Sequence, residues 1–116
     1  MEYMLLLYSE ETAGPQPGTD EFGPYMQAFM NFDQKVKDEG KFVAGEALEP
    51  TATATTVTTA SGELETLDGP FAETKEILGG FYILECADLD EALKYAAMIP
   101  TADHGKIEIR PVMKFD

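Results

Sequence analysis

Five consecutive apolar residues near the start of the chain, Met4-Leu5-Leu6-Leu7-Tyr8, leave few options for what it can fold into. Side chains of a strand alternate between faces, so a run with no polar position reads as a central strand covered on both sides. Gly80 to Cys86 repeats the demand, with Phe81, Ile83 and Glu85 on one face and Tyr82, Leu84 and Cys86 on the other. Two such strands call for a sheet with cover above and below. Only two helical patterns are present to supply it. Phe22, Tyr25, Phe29, Phe32 and Val36 recur at spacings of three and four, which predicts a helix over 22–39 with Gly40 as its left-handed stop. Its aromatic stripe reads as core packing. Asp88 followed by Glu91 opens a second, shorter helix in the manner of a capping box, with Leu89, Ala92, Leu93 and Ala96 as its buried stripe and Pro100 as its end.

The remaining segments complete an alternating order. Ser9 to Asp20, with Pro15 and Pro17, has loop chemistry and no hydrophobic period. Lys41 to Leu48 reads as a strand in which Gly45 permits a close backbone approach or a bulge. Thr51 to Thr59 holds six threonines and Val57, a β-branched composition suited to a pleated surface; Ser61-Gly62 makes a turn and Leu64 to Leu67 returns, predicting a hairpin with mostly polar faces. Lys106 to Met113 is the last strand, and Pro111 places it at an edge or ends its pairing there. The order β-α-β, hairpin, β-α-β predicts an α+β subunit of ferredoxin-like, split βαβ type with an inserted β-hairpin. Two helices cover one face of such a sheet, so the second face calls for a homodimer packing sheet on sheet.

The 116 residues predict a single domain spanning 1–116. Lys and Arg number 8 against 22 Asp and Glu, a formal charge of -14 spread along the whole length. That field repels phosphate backbones and anionic lipid, which argues against nucleic-acid and membrane-surface partners. No apolar run approaches the ~20 residues of a membrane-spanning helix, and the apolar start is too short for a secretory leader, so a cytoplasmic location is expected. Cys86 and His104 are each the sole residue of their type, which supports neither a metal site nor a cofactor built on Cys and His. Cys86 reads as a small buried hydrophobe and His104, beside Asp103, as a loop residue without a placed partner.

The segment Leu67-Asp68-Gly69-Pro70-Phe71-Ala72-Glu73-Thr74-Lys75-Glu76, followed by Leu78-Gly79-Gly80-Phe81-Tyr82, resembles the signature of the DGPF-type YCII-related (YciI-like) family. Matching stretches run through most of the chain: Tyr3-Met4-Leu5-Leu6, Gly45-Glu46-Ala47-Leu48, Ala54-Thr55-Thr56-Val57, Ala87-Asp88-Leu89-Asp90-Glu91-Ala92 and Glu108-Ile109-Arg110-Pro111-Val112. The resemblance implies a ferredoxin-like subunit that dimerises into an α/β barrel, within a superfamily that includes muconolactone-isomerase-like and dehydrochlorinase-like enzymes. In the YciI-like branch a His from the first helix and an Asp are proposed as acid and base. The 22–39 segment holds no histidine, so that mechanism does not transfer. Frequent gene neighbourhood with alternative sigma factors, another property of the group, leaves a regulatory protein partner such as a sigma factor as a rival to catalysis.

The expected site is a small-molecule site built around the signature loop. Asp68 is the candidate acid or base, because a carboxylate folded into a cleft loses solvent and its pKa rises toward neutrality; the bland alternative is a turn residue accepting backbone N–H bonds. Gly69, Pro70 and Phe71 accompany it. Glu46 is a second candidate carboxylate, Lys75 and Arg110 are scarce cations able to hold a ligand carboxylate, and Tyr8 offers a hydroxyl at the end of the central strand. Each has a structural alternative: a solvated strand residue for Glu46, an ion pair with Glu73, Glu76 or Glu108 for the cations, an interfacial ring for Tyr8. The expected reaction class is proton transfer of a lyase or isomerase type.

Overall fold

A computed structural model describes residues 1–115. Eight regular elements follow in chain order: β1 (Glu2–Ser9), α1 (Phe22–Asp38), β2 (Phe42–Ala47), β3 (Thr55–Ala60), β4 (Glu63–Asp68), β5 (Ile77–Glu85), α2 (Leu89–Ala96) and β6 (Lys106–Pro111). Four strands form an antiparallel sheet in the order β2-β5-β1-β6, and β3 pairs with β4 alone. The two apolar runs occupy the two inner positions, and β6 with its Pro111 is an edge. The ferredoxin-like, split βαβ order with an inserted hairpin is the observed one.

Directly paired residues of antiparallel strands share a face, so the register assigns every side chain to a side. Leu5 pairs with Tyr82 and Ile109, Tyr3 with Leu84, and these residues lie under the helices. There they meet Phe32, Val36, Ala92, Tyr95 and Ile99 in one core. Leu5, Leu84 and Val36 are fully excluded from solvent, each worth about 1.5–3 kcal/mol of burial. On the opposite face Leu6 pairs with Phe81 and Glu108, and Met4 with Ile83 and Arg110. No element among the described residues covers that side. Its centre is a half-buried apolar stripe of Met4, Leu6, Tyr8, Phe81 and Ile83, and its margins carry Glu46, Lys106, Glu108 and Arg110.

Three local readings change. β5 begins at Ile77, three residues ahead of the expected Gly80, because a bulge between Leu7 and Tyr8 keeps Leu78 and Ile77 in register with β1. Thr51–Thr53 forms a 3-10 turn, not strand; its first hydroxyl donates to Glu11 Oε1 at 2.5 Å, tying it to the loop after β1. In α2 the buried stripe is Ala92, Tyr95 and Ala96, whereas Leu89 and Leu93 are about half exposed. Small alanines let the helix lie close to the sheet, and the Tyr95 hydroxyl reaches Glu39 Oε1 at 2.5 Å. The capping box is as expected: Asp88 Oδ1 accepts from Glu91 N at 2.9 Å, while Glu91 Oε1 accepts from Ala87 N and from Lys41 Nζ, both at 3.0 Å.

The β3–β4 hairpin stands apart as an arm. Ser61 and Gly62 both take positive φ, 51° and 82°, which is the type I′ geometry that matches strand twist. At its root Gly69 N donates to Ala54 O and Thr56 Oγ1 donates to Gly69 O at 2.8 Å. Along the arm Val57, Leu64 and Leu67 remain more than half exposed, and Phe71 just beyond it is 85% exposed. The chain is consequently plank-like, 48 × 47 × 19 Å, with a radius of gyration of 16.2 Å against about 13 Å for a compact domain of this length.

Candidate functional site

One cavity of about 420 Å³ lies between α1 and the β2–β5–β1 part of the sheet, within the range of small-molecule sites. Its roof is a single ridge of α1. Tyr25, Phe29, Asp33 and Lys37 follow one another at intervals of four, so their side chains stack on one side of the helix over about 18 Å of its length. Phe32 and Val36, the other half of the aromatic stripe, are core. The stripe expected to be packing alone therefore divides into a core half and a cavity half. The floor is supplied by Leu7, Phe42, Gly45, Gly80 and Tyr82, and Met26 and Met30 stand at the rim. Two glycines make the floor possible: a Cβ on Gly45 would stand 2.9 Å from the Tyr82 ring, and one on Gly80 would stand 2.9 Å from Glu46 O.

Two hydrogen-bonded pairs of ionisable side chains converge on this cavity. In the middle, the Tyr82 hydroxyl donates to Asp33 Oδ1 at 2.5 Å. Burial and the adjacent Asp33 carboxylate push the Tyr82 pKa well above the ordinary phenol range, so the phenol keeps its proton and the carboxylate keeps a donor. Asp33 Oδ2 has no hydrogen-bond partner among the described residues. Toward the N-terminal end of α1, the Tyr25 hydroxyl and His104 Nε2 are 2.9 Å apart. Tyr25 also packs edge-on against Phe29, with ring centroids 5.2 Å apart. Desolvation raises the Tyr25 pKa, with the hydroxyl of buried Thr101 working in the opposite direction and Asp103 adding to the rise. At the far end Lys37 Nζ stands 5.0 Å from the centre of the Phe42 ring, which holds a cation at the mouth.

Local folding explains how His104 reaches α1. The 3-10 turn Pro100–Asp103 ends with His104 N and Gly105 N both donating to Thr101 O, at 3.1 and 2.8 Å, and turns the imidazole inward. The loop after β1 closes over it. Gln16 Nε2 donates to Ala13 O and Gly14 O at 3.1 and 3.2 Å, and Gly14, at φ 74°, lies so near the ring that a Cβ there would stand 2.6 Å from Nε2. The segment that reads as structureless loop is thus a lid on the one histidine.

The residues expected from the sequence are dispersed. Asp68 is exposed at the end of β4, paired in the ladder with Thr55, and Gly69 rather than Asp68 closes the turn. Pro70 is half-buried, Phe71 and Lys75 are exposed, and none of these five residues lines the cavity. Glu46 borders it at the β2 edge, but its pairing with Phe81 turns its side chain to the open face of the sheet. Tyr8 and Arg110 are both on the open face of the sheet but at opposite ends of the β1–β6 pairing, Tyr8 over a shallow depression with Glu76, Lys106 and Glu108. Among the described residues Lys75 and Arg110 form no ion pair; Glu76 is taken by Lys106 at 2.5 Å. Cys86 is buried, and burial pushes its thiol up. Asp33, Tyr25, Tyr82 and Lys37 were not singled out as chemistry. Their signal was present: a carboxylate and an ammonium continue an aromatic i, i+4 ridge that a purely structural helix would fill with apolar side chains.

No helix among the described residues is long and apolar enough to cross a membrane, and no group of three His, Cys, Asp or Glu among them is placed to hold a metal ion. The model of one protein family, the YCII-related domain, matches residues 1–116. An uncharacterized protein of Rhizobium meliloti (strain 1021) is 38% identical over 114 residues, 97% of this chain and 92% of that protein. Among solved structures, the 5-chloro-2-hydroxyhydroquinone dehydrochlorinase of Burkholderia phenoliruptrix AC1100, in complex with 2,5-dihydroxybenzoquinone, aligns over 97% of this chain and 94% of its own at 14% identity and a TM-score of 0.49.

Proposed function

The chain belongs to the YCII-related family, and from that premise we propose that it is a small-molecule-binding domain whose α1–sheet cavity moves a proton to or from its ligand. The observation that carries this reading is the convergence of two hydrogen-bonded acid–base pairs, Tyr82–Asp33 and Tyr25–His104, on one largely apolar space. A titratable group is useful in such a place because the protein, not water, sets its partners. Asp33 is the base: one oxygen is held by Tyr82, and the other is free to take a proton from a carbon next to a carbonyl. The electron pair released passes to the carbonyl oxygen, giving an enol or enolate, the first half of an isomerisation or an elimination. Lys37 marks the mouth and favours a ligand with an anionic or polar group at its outer end.

The assembly in this reading is a homodimer. The stripe of Met4, Leu6, Tyr8, Phe81 and Ile83 is too apolar to face water in a chain of this charge, and the arm presents Val57 and Leu64 on one face with threonines beside them. A second copy is the occupant that both surfaces fit. The signature loop at Asp68 to Phe71 then serves at the root of an arm that holds the partner, and Asp68 acts on a ligand only if that contact carries it to the partner's cavity.

The test is a titration with a panel of small keto acids, lactones and hydroxylated aromatics, followed by backbone NMR and by deuterium incorporation from solvent. Ligands are expected to shift α1, β2 and β5 resonances, and Asp33→Asn is expected to stop exchange at the carbon next to the carbonyl. Shifts confined to residues 68–76, with exchange stopped by Asp68→Asn and untouched by Asp33→Asn, would overturn the assignment.

A further inference from the structure

The proton on Tyr25 has a direction, and it follows from an atom on the far side of the histidine. A neutral imidazole has one N–H and one bare nitrogen. His104 Nε2 faces the Tyr25 oxygen at 2.9 Å, whereas Nδ1 is buried and meets no hydrogen-bond partner among the described residues. Of the two tautomers, one places the N–H on Nδ1, burying a donor with no acceptor at a cost of about 1–3 kcal/mol. The other places it on Nε2, where it donates to the phenol oxygen and leaves only a bare lone pair in the apolar pocket. Orphaned buried N–H groups are the rarer defect in proteins. Gly14 lies so close to the ring that a side chain there would displace it, which keeps the imidazole against α1.

We infer that His104 is a positioning residue held as the Nε2–H tautomer, and that it turns the Tyr25 hydroxyl into a hydrogen-bond donor aimed into the cavity. With the oxygen of Tyr25 occupied by the Nε2–H, its own proton is directed to whatever lies in the cavity. The site therefore takes a ligand with an accepting oxygen at the α1 N-terminal end, a ketone, ester or quinone carbonyl, and a C–H or O–H turned toward Asp33. A ligand with only donors at that end is excluded. This deepens the proton-transfer reading above and rests on it: Tyr25 stabilises the oxygen on which charge gathers when Asp33 takes the proton.

The sole histidine makes the test direct. Long-range proton–nitrogen correlation on protein labelled at the His104 ring is expected to show Nε2 protonated and Nδ1 bare, with the Nε2 shift displaced in Tyr25→Phe. Acetophenone and ethylbenzene, alike in shape, are then titrated as probes. Acetophenone is expected to bind roughly 3- to 10-fold more tightly to the wild type, the worth of one net hydrogen bond. Tyr25→Phe should erase the difference, and His104→Gln, which keeps an N–H near the Nε2 position, should retain most of it while His104→Ala loses it. The opposite tautomer with acetophenone still bound in the cavity would overturn this inference alone. Equal binding of the two probes would overturn it as well. If neither probe binds, the cavity reading itself fails, whatever the tautomer.

Discussion

The two faces of the central sheet use the same strands and nearly the same residue types, yet they differ in what covers them. Leu5, Tyr82 and Leu84 point to the helices and are buried; Leu6, Phe81 and Ile83, each one residue away, point to a side that no element among the described residues covers. A strand that was meant to have one wet face would alternate apolar with polar, and these do not. The covered face is closed from within the chain, and the stripe on the open face stays only half-buried. The chemistry divides along the same line, because both acid–base pairs lie on the covered side.

The comparison is most severely tested by Leu84→Ala and Ile83→Ala as a pair. Leu84→Ala should cost about 2–5 kcal/mol in urea unfolding at any protein concentration, as a cavity in a closed core does. In the proposed dimer, Ile83→Ala should instead lower a midpoint that depends on concentration, because association would bury the surface it trims. Equal, concentration-independent losses would erase the distinction. Next in size is Ile83→Glu. A charge in the middle of the open stripe is expected to weaken self-association at least a hundredfold, about 2.7 kcal/mol, leaving 12.7 kDa monomers by light scattering with the α1 cavity intact. Wild-type protein that is already 12.7 kDa at high micromolar concentration would sink the assignment of the open face.

Smaller effects sharpen the covered side. Tyr82→Phe removes the donor to Asp33 and should cost about 1–2 kcal/mol, while lowering exchange activity through a less ordered base. The smallest is a pH effect in the Tyr95–Glu39 contact. The bond to Glu39, helped by desolvation, lifts Tyr95 from its ordinary 10.0 to about 12. A raised acid favours the folded state while protonated, so this stability is complete below pH 10.0 and disappears as pH climbs through about 12. Tyr95→Phe should flatten that part of the stability curve, and an unchanged slope would show that the contact contributes nothing.

The element order, the inner position of both apolar runs, the α2 cap and the edge strand ending at Pro111 were all legible, because each rests on local periodicity or backbone chemistry. The site was less so. Tyr25 and Phe29 share the spacing of Phe32 and Val36, and periodicity cannot say that the sheet falls away beneath the first two and rises to meet the second two. His104 reaches Tyr25 across 79 positions of sequence, a juxtaposition only the fold supplies. Asp68 lies outside the α1–sheet cavity, and within its own chain the Asp-Gly-Pro-Phe loop roots an arm. Leu89 and Leu93 show the limit of the helical wheel, since the sheet selected the alanine and tyrosine side of α2.

The protruding arm also has a hydrodynamic consequence. A plank 19 Å thick and nearly 50 Å across drags more solvent than a sphere of equal mass, so a monomer should elute early from a sizing column and diffuse slowly in NMR. Its apparent mass by elution would drift toward that of two compact copies. Shape and stoichiometry are separated only by a method that weighs particles rather than sieves them, and an arm-shortened variant would move the elution volume even where the mass stayed fixed.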